Sequence, residues 1–275
     1  MRAASPIIAL LTDFGQKDYF VATMKAVILN INPKALIIDI THEVRSYDVL
    51  EAGFMLYACY KFFPQGTIFV SIVDPGVGSS RRILLTGTAG QYFIAPDNGL
   101  LSLVINKEKF TFLREIRNDK FFLAGISKTF EARDKMAPAA AWLSLGTPHH
   151  EFGPELSDYL SLDISQPEIE RGRINGSVLY KDKFGNLFTN IPVSLFEDFA
   201  ARAGGQDKVF MEAGKRKILW ADRYSDRGIG EELFLAGSVG LIEIAVREGS
   251  AAEKLKLEPG DRISIQIVQN KKIKH

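Results

Sequence analysis

The chain begins with apolar runs that alternate with amphipathic stretches. Residues 7–12, IIALLT, predict a strand, and residues 19–30 carry apolar side chains at helical spacing. The pattern repeats in residues 35–40 and 48–62, and residues 67–73 predict a third strand. This β-α-β-α-β order is typical of parallel strands joined by right-handed crossovers. We therefore expect an α/β N-terminal domain with a mostly parallel sheet that is covered on both faces.

The pattern changes in the second half of the chain. From Arg173 onward seven short apolar runs recur between turn residues, with only short helical pieces among them. Such spacing is typical of an antiparallel sandwich or barrel. We predict an α/β domain over residues 1–168 and a smaller all-β C-terminal domain over residues 169–275.

Composition and charge narrow the classes of partner. The chain has 275 residues, of which 46% are hydrophobic, and Lys plus Arg number 34 against 33 for Asp plus Glu. A balanced charge gives no field that would attract nucleic acid or an anionic membrane, so we expect a small-molecule partner and interpret the closing NKKIKH as a solvated tail. The single cysteine, Cys59, lies in an apolar pattern and suits a reducing compartment. With no signal peptide or long apolar run in the pattern, we expect a soluble, cytoplasmic protein.

Acidic residues follow three of the predicted strands. Asp13 and Asp18 follow the first, Asp74 follows the third, and Asp97 with Asn98 follows a later one. Ligands collect at the carboxyl ends of strands in open α/β sheets, and carboxylates there suit a ribose diol or a positive centre. Each also has a structural interpretation, because Asp74 and Asp97 stand in turn sequences and Asp18 is placed to cap a helix.

Several common site motifs are missing from the sequence. It has no Walker loop, no G-x-G-x-x-G after the first strand, no G-x-S-x-G and no metal-ligand spacing, so we expect neither a metal nor a cofactor. The turn DKFGN brings together Asp182, Phe184 and Asn186. An aromatic face beside an amide suits a nucleobase, although a hairpin turn with a buried phenylalanine is an equal alternative.

Six motifs occur together in one order: LLTDFG, IVDPGVGSSRR, APDNGLL, TF-x-x-RD-x-x-APAAA, DKFGNLFTNI and GS-x-G-x-x-EIAV-x-x-GSAA. In this the chain resembles the S-adenosyl-L-methionine hydroxide adenosyltransferases, which are relatives of the fluorinating and chlorinating enzymes that use the same substrate. The resemblance runs from about residue 7 to residue 267. It implies an α/β domain, a C-terminal β domain, a homotrimer, and substrate held between domains of neighbouring subunits.

The resemblance also implies roles for individual residues. Asp13 matches the group that binds both ribose hydroxyls, and Tyr47 matches an aromatic position that lines the site. Three residues match the positions that hold the amino-acid end of the methionine: Asp18, Asp182 and Ser238. Three match the adenine site, where Tyr224 stacks, Phe184 lies beside it and Asn186 reads the base edge.

Asp74 and Arg81 match two members of the family's water-handling triad. The third member is histidine in the motif Thr-Phe-His-Gly-Arg-Asp, whereas this chain has TFEARD, with Glu131 in its place. Two carboxylates that share one arginine tend to raise one of their pKa values. Glu131 is therefore either a protonated donor, or itself the base, or a residue that weakens the activity.

We expect an enzyme that cleaves S-adenosyl-L-methionine with water to adenosine and L-methionine, with the substrate as the only small molecule required. The alternative is a binding protein that has lost turnover through Glu131. Halogenation is disfavoured, because a carboxylate at the position of Asp74 would repel a halide ion.

Overall fold

The structure is a computed structural model that describes residues 5–88, 90–125, 127 and 129–268. The basic tail that we interpret as solvated lies outside the described residues. The chain divides into two compact units between Leu162 and Asp163, and the boundary predicted at residue 168 falls a few residues later.

The first unit contains these strands and helices among its described residues: β1 Ile7–Thr12, α1 Phe20–Ile31, β2 Leu36–Thr41, α2 Val49–Cys59, β3 Ile68–Ile72, β4 Ile83–Thr88, β5 Gln91–Pro96, α3 Ser102–Lys107, β6 Phe112–Glu115 and α4 Ala137–Ser144. A π-helical turn, Ala132–Met136, precedes α4 directly. Single 3₁₀ turns lie at Tyr60–Phe62, Asp119–Phe121 and His149–Phe152.

The sheet of the first unit is mixed. Its order is β2-β1-β3-β5-β4-β6, and the first three neighbouring pairs are parallel while β4 pairs antiparallel with both β5 and β6. The expectation of a mostly parallel sheet therefore holds for only part of it. Only two residues separate Thr88 from Gln91, a connection too short for a crossover, so β4 and β5 must form a hairpin.

Both faces of this sheet are buried. Along β1, Ile8 and Leu10 pack into a core with α1 and α4, whereas Ala9 and Leu11 pack into a second core with α2 and α3. Successive side chains of a strand point to opposite faces, which is why the apolar run is continuous rather than alternating. The sheet is thereby fixed between two helical layers.

The second unit has these elements: β7 Glu168–Glu170, β8 Arg173–Lys181, β9 Leu187–Pro192, α5 Val193–Ala203, β10 Val209–Ala213, β11 Arg216–Leu219, β12 Glu232–Ala236, β13 Leu241–Val246, α6 Ala251–Leu255 and β14 Arg262–Ile267. Its 3₁₀ turns lie at Gln206–Lys208 and Tyr224–Asp226. Every strand pair described is antiparallel, in the order β11-β10-β14-β8-β9-β13-β12, with β7 on β8. A bridge between Trp220 and Phe234 links the two ends of this order, so the sheet is nearly a barrel.

Helix α5 departs from the all-β expectation. It begins after Pro192 and ends at Gly204, whose φ of 93° is left-handed and costs glycine little. Its Phe196 and Phe199 are buried in the core of the second unit, so an amphipathic helix seals one side of the sheet.

Candidate active site

Two acidic residues emerge at one edge of the first sheet. Strands β1 and β3 are parallel neighbours, and their last residues Thr12 and Ile72 are paired directly. The chain therefore leaves the sheet at the same level in both strands, and Asp13 and Asp74 follow there. Strand pairing, rather than sequence proximity, brings these two carboxylates to one site.

Asp13 lies in a loop that is held from several sides. Its Oδ2 accepts a hydrogen bond from the backbone N–H of Tyr47 at 3.0 Å, and Tyr47 has a left-handed φ of 69°. Thr12 Oγ1 accepts the N–H of Phe14 at 3.2 Å and lies 2.8 Å from Nδ1 of the buried His42. A non-glycine residue at positive φ is uncommon and is found at constrained sites. We infer that the surrounding structure holds the Tyr47 backbone so that its N–H contacts Asp13.

The Asp97 strand end has a structural role instead. Its carboxylate accepts hydrogen bonds from Arg82 Nε at 2.8 Å and from the backbone N–H of Leu160 at 2.7 Å. The structural interpretation of Asp97 is therefore the better one. For Asp18 the capping interpretation is wrong, because α1 has Tyr19 at its N-cap and no side-chain cap.

Asp74 is bound along one edge of the Arg81 guanidinium. Nε donates to Oδ1 at 2.9 Å and Nη2 donates to Oδ2 at 2.5 Å, with both side chains less than a tenth exposed. Two parallel charged hydrogen bonds fix the plane of the carboxylate as well as its position. The turn between them contains Gly78 at φ 78°, which returns the chain so that Arg81 faces Asp74.

Glu131 is bound by two cations. One of its oxygens, Oε2, accepts from Arg81 Nη2, and the other, Oε1, accepts from Lys135 Nζ one turn further along the chain. Arginine and lysine side chains only donate, so this arrangement suits an ionised Glu131. Of the three roles open to Glu131, the protonated donor is the least compatible with these contacts.

The π-helical turn that carries Lys135 begins directly after Glu131 and is itself anchored. The buried Asp134 accepts two hydrogen bonds from Arg133 and one from the backbone N–H of Ser127. Burial works against ionisation, but the hydrogen bonds from Arg133 and Ser127 outweigh it and lower the pKa of Asp134. π-Helical turns occur often at functional sites because they widen the helix and redirect its side chains.

A cavity of about 480 Å³ lies over these residues in the first unit. Its lining includes four carboxylates, three hydroxyls and several aromatic rings: Asp13, Phe14, Asp18, Phe20, Ser46, Tyr47, Ile72, Asp74, Val77, Thr129, Phe130, Glu131 and Ala132. Arg81 is not among the described residues that line it, and reaches the cavity through Asp74 and Glu131. Carboxylates and aromatic faces together suit a ligand that carries positive charge and hydroxyl groups.

The second unit has its own cavity, of about 630 Å³. It is lined by Phe184, Asn186, Tyr224, Ser225, Val246, Arg247, Glu248, Gly249 and Ser250. Phe184 is 74% exposed and Tyr224 is 44% exposed, so each presents a ring to solvent. Phe184 is therefore not the buried phenylalanine of the hairpin alternative. Exposed rings beside an amide are what stacking and edge recognition of a planar base require.

Asp182 organises the turn below this cavity. Its Oδ1 accepts the backbone N–H groups of Phe184 and Asn186 at 2.9 and 2.8 Å, and its Oδ2 accepts the Asn186 side-chain amide at 3.0 Å. Gly185 has φ 84°, and a Cβ there would lie 2.1 Å from Ser250 Oγ, so only glycine fits. The carboxylate thus presents the Phe184 ring and the Asn186 amide in a fixed arrangement.

Tyr224 is held by a buried acid that the sequence does not single out. Its hydroxyl donates to Glu243 Oε1 at 2.5 Å, and Glu243 is 3% exposed on β13. Burial raises the pKa of Glu243, the negative Asp182 raises it further, and the Tyr224 hydrogen bond acts in the opposite direction. Burial and the neighbouring Glu243 both raise the pKa of Tyr224, so its hydroxyl stays protonated as a donor.

The structure thus places the predicted site residues in two groups. Asp13, Asp18, Tyr47, Asp74 and Glu131 line the first cavity, with Arg81 behind it. Phe184, Asn186 and Tyr224 line the second. Asp182 supports that second cavity, and the exposed Ser238 lies in the connection between β12 and β13. The roles in holding methionine stay predictions for Asp18, Asp182 and Ser238.

Sequence reasoning missed Lys135, Glu243 and the residues Ser46 and Thr129. The spacing of Glu131 and Lys135, four residues apart before a helical pattern, is the one sequence feature that could have indicated their pairing. Glu243 stands within the apolar run LIEIAV, where an isolated acid is unusual and indicates a specific partner. The described residues contain no group of three or more histidine, cysteine, aspartate or glutamate side chains arranged for a metal.

Comparison with known proteins identifies the family. Residues 8–153 match the model of the SAM hydroxide adenosyltransferase N-terminal domain, and residues 176–264 match that of the C-terminal domain. The chain belongs to the SAM hydroxide adenosyltransferase family.

Individual relatives agree with this assignment. The (R)-S-adenosyl-L-methionine hydrolase of Thermus thermophilus is 34% identical over 266 residues, which cover 92% of this chain and 96% of that protein. A fluorinase of Actinoplanes sp. is 28% identical, covering 95% and 97% of the two chains. A crystal structure of an uncharacterized conserved protein from Thermotoga maritima has a TM-score of 0.89 and 40% identity, covering 94% of this chain and 99% of that one.

Proposed function

We propose that this chain hydrolyses S-adenosyl-L-methionine to adenosine and L-methionine. The observation that carries the proposal is Asp74, whose carboxylate lines the cavity of the first unit while Arg81 holds both of its oxygens. Relatives that are 31–34% identical over almost their whole length are named (R)-S-adenosyl-L-methionine hydrolases, which supports the same substrate here.

The two cavities suit different parts of this substrate. Carboxylates and aromatic rings of the first cavity favour the positive sulfonium, and Asp13 offers acceptors for the two ribose hydroxyls. Phe184 and Tyr224 of the second cavity offer faces for adenine, with Asn186 for its edge. By the family resemblance, Asp18, Asp182 and Ser238 would hold the amino-acid end.

The reaction is a displacement at C5′. The oxygen of water forms a bond to C5′ as the C5′–S bond breaks, and sulfur keeps the electron pair and leaves as the thioether of methionine. Asp74 takes the proton of the water and later releases it to solvent. Because a sulfonium is already a good leaving group, the protein mainly places the water in line with the C5′–S bond.

Arg81 supports this step without touching the cavity. It orients the Asp74 carboxylate through two charged hydrogen bonds, so that the remaining lone pairs face the water. The step involves no electron transfer, and we propose that the reaction needs no cofactor.

The carboxylates favour hydrolysis over halogenation. Asp74 and Glu131 both line the cavity, and two negative groups there would repel a halide. Fluorinases are among the relatives, but this cavity better fits water as the nucleophile.

We extend the proposal to a homotrimer with substrate held by residues of neighbouring subunits, as the family resemblance implies. Light scattering on the purified chain tests this, with a mass of three chains expected.

The described residues include no helix long and apolar enough to cross a membrane.

Product analysis tests the proposed function. The chain is incubated with S-adenosyl-L-methionine, and adenosine and L-methionine should appear in equal amounts. Asp74→Asn, which keeps the shape but loses the base, should form adenosine at least about a hundredfold more slowly. Asp158→Asn is the matched control, because Asp158 is an exposed carboxylate bound to Arg82. A chain that binds the substrate without forming adenosine would be a binding protein instead.

A further inference from the structure

Lys135 is the second cation of the Asp74 and Glu131 cluster. Its Nζ donates to Glu131 Oε1 and lies 5.6 Å from the centroid of the Phe122 ring. The Lys135 side chain is 24% exposed, whereas that of Glu131 is 9% exposed. The ion pair is therefore largely shielded from water. Interactions between charges are stronger in such a place than at the exposed surface.

The charges of this cluster balance only with Lys135 present. Asp74 and Glu131 carry two negative charges, and Arg81 alone would compensate only one of them. A carboxylate in a mostly buried place is unfavourable without a cation to pair with, and Glu131 would then move away from the like-charged Asp74. This movement would disturb the contact between Glu131 and the Nη2 atom that Arg81 also gives to Asp74.

Resting on the proposed function, we propose that Lys135 is a positioning residue for the hydrolysis. It holds the Glu131 carboxylate in place on Arg81, and Arg81 in turn fixes Asp74. Lys135 is not among the described residues that line the cavity, so it acts through Glu131. Glu131 and Lys135 thus form one unit in place of the family's histidine, and Asp74 alone is the base.

Three single variants test the role of the charge. Lys135→Met keeps an unbranched side chain against Phe122 but removes the charge, and should lower kcat about tenfold without raising KM. Lys135→Arg restores a cation and should recover most of the rate. Lys120→Met is the matched control, because Lys120 lies 5.4 Å from the Phe121 ring centroid and 3.9 Å from Glu151 Oε2, and it should keep the parent rate.

A double variant tests whether Lys135 acts through Glu131. Glu131→Gln removes the negative charge that Lys135 compensates. In the Glu131→Gln background, Lys135→Met should therefore cause little additional loss of kcat. Additive losses in the double variant would overturn the proposal, as would a Lys135→Met rate equal to the parent. Equal loss in Lys135→Met and Lys135→Arg would show that packing, not charge, matters.

A binding comparison separates this proposal from the proposed function. If the parent forms no adenosine, the proposed hydrolysis fails, and affinities are measured by calorimetry for S-adenosyl-L-methionine and for its neutral thioether analogue S-adenosyl-L-homocysteine. Lys135→Met leaves the cluster one charge more negative, so the preference for the sulfonium should rise several-fold, and Lys120→Met should not change it. An unchanged preference in Lys135→Met would overturn the charge-balancing role of Lys135.

Discussion

Arg81 binds both oxygens of Asp74 along one edge of its guanidinium, with Nε 2.9 Å from Oδ1 and Nη2 2.5 Å from Oδ2. The same Nη2 also reaches Glu131. One side chain therefore sets the geometry of two carboxylates that line a cavity.

The fork of Arg81 should matter more than its charge. Arg81→Lys keeps a cation but loses the paired hydrogen bonds, and we expect kcat to fall about a hundredfold with a small change in KM. The neighbouring Arg82 is the control, because it binds Asp97 and Asp158 away from the cavity. Arg82→Lys should lower stability and leave kcat within about threefold of the parent. Equal rates in the two variants, measured in steady-state assays, would show that the Arg81 fork is not needed.

Asp13 should govern affinity for the nucleoside. Asp13→Asn keeps an acceptor for the Tyr47 N–H and removes the charge, and should weaken adenosine binding by about 1.5–3 kcal/mol in calorimetry. Asp18→Asn should weaken binding of S-adenosyl-L-methionine and leave the affinity for adenosine unchanged, because Asp18 is assigned to the amino-acid end of the substrate. Adenosine binding that is unaffected by Asp13→Asn would remove Asp13 from the ribose site.

Much of the fold follows from local pattern. The buried strands β1, IIALLT, and β3, IFVSI, consist almost entirely of apolar or β-branched residues, so their type and place could be predicted from the sequence. The mixed character of the sheet follows from the short connection between β4 and β5, which the repeating β-α order of the first strands obscured. Helix α5 was missed although Pro192 and Gly204 bound it, because recurring strands dominate its surroundings.

The site divides in the same way. Asp13 and Asp74 could be predicted as strand-end residues, since parallel neighbours end at one edge of a sheet. The pairing of Lys135 with Glu131, and of Glu243 with Tyr224, depends on how a π-helical turn and a barrel strand direct side chains. Such contacts arise from tertiary packing, and the sequence pattern does not contain them.

Removing the Tyr224 hydroxyl should make stability depend more on pH. Tyr224→Phe keeps the ring but removes the hydrogen bond that the Tyr224 hydroxyl donates to the buried Glu243. The unfolding free energy should therefore fall by about 1–3 kcal/mol. That hydrogen bond lowers the pKa of Glu243, so its loss raises the pKa further. A raised folded-state pKa favours the protonated form, so stability is lost as pH rises.

The deficit of Tyr224→Phe should therefore be larger at pH 8 than at pH 4 in urea unfolding. Tyr180→Phe, on strand β8 of the same unit, is a comparison for loss of a tyrosine hydroxyl. A Tyr224→Phe deficit that is the same at both pH values would mean that Glu243 does not ionise in the folded chain.

Asp134 should stabilise the π-helical turn with the opposite dependence on pH. Hydrogen bonds from Arg133 and Ser127 lower its pKa below 3.8, so its contribution is complete above that pH and is lost as pH falls. Asp134→Asn should lower the unfolding free energy by about 2 kcal/mol at pH 7 and by less near pH 3. Urea unfolding at both pH values measures this, and a constant difference would contradict the assigned pKa shift.

The central claim is that water attacks C5′ of S-adenosyl-L-methionine at Asp74. Turnover in ¹⁸O-labelled water tests it directly, with mass spectrometry of both products. We expect one ¹⁸O atom in the 5′-hydroxyl of adenosine and none introduced into L-methionine by the reaction. Adenosine without the label would contradict the claim, because its 5′-oxygen would then come from another source.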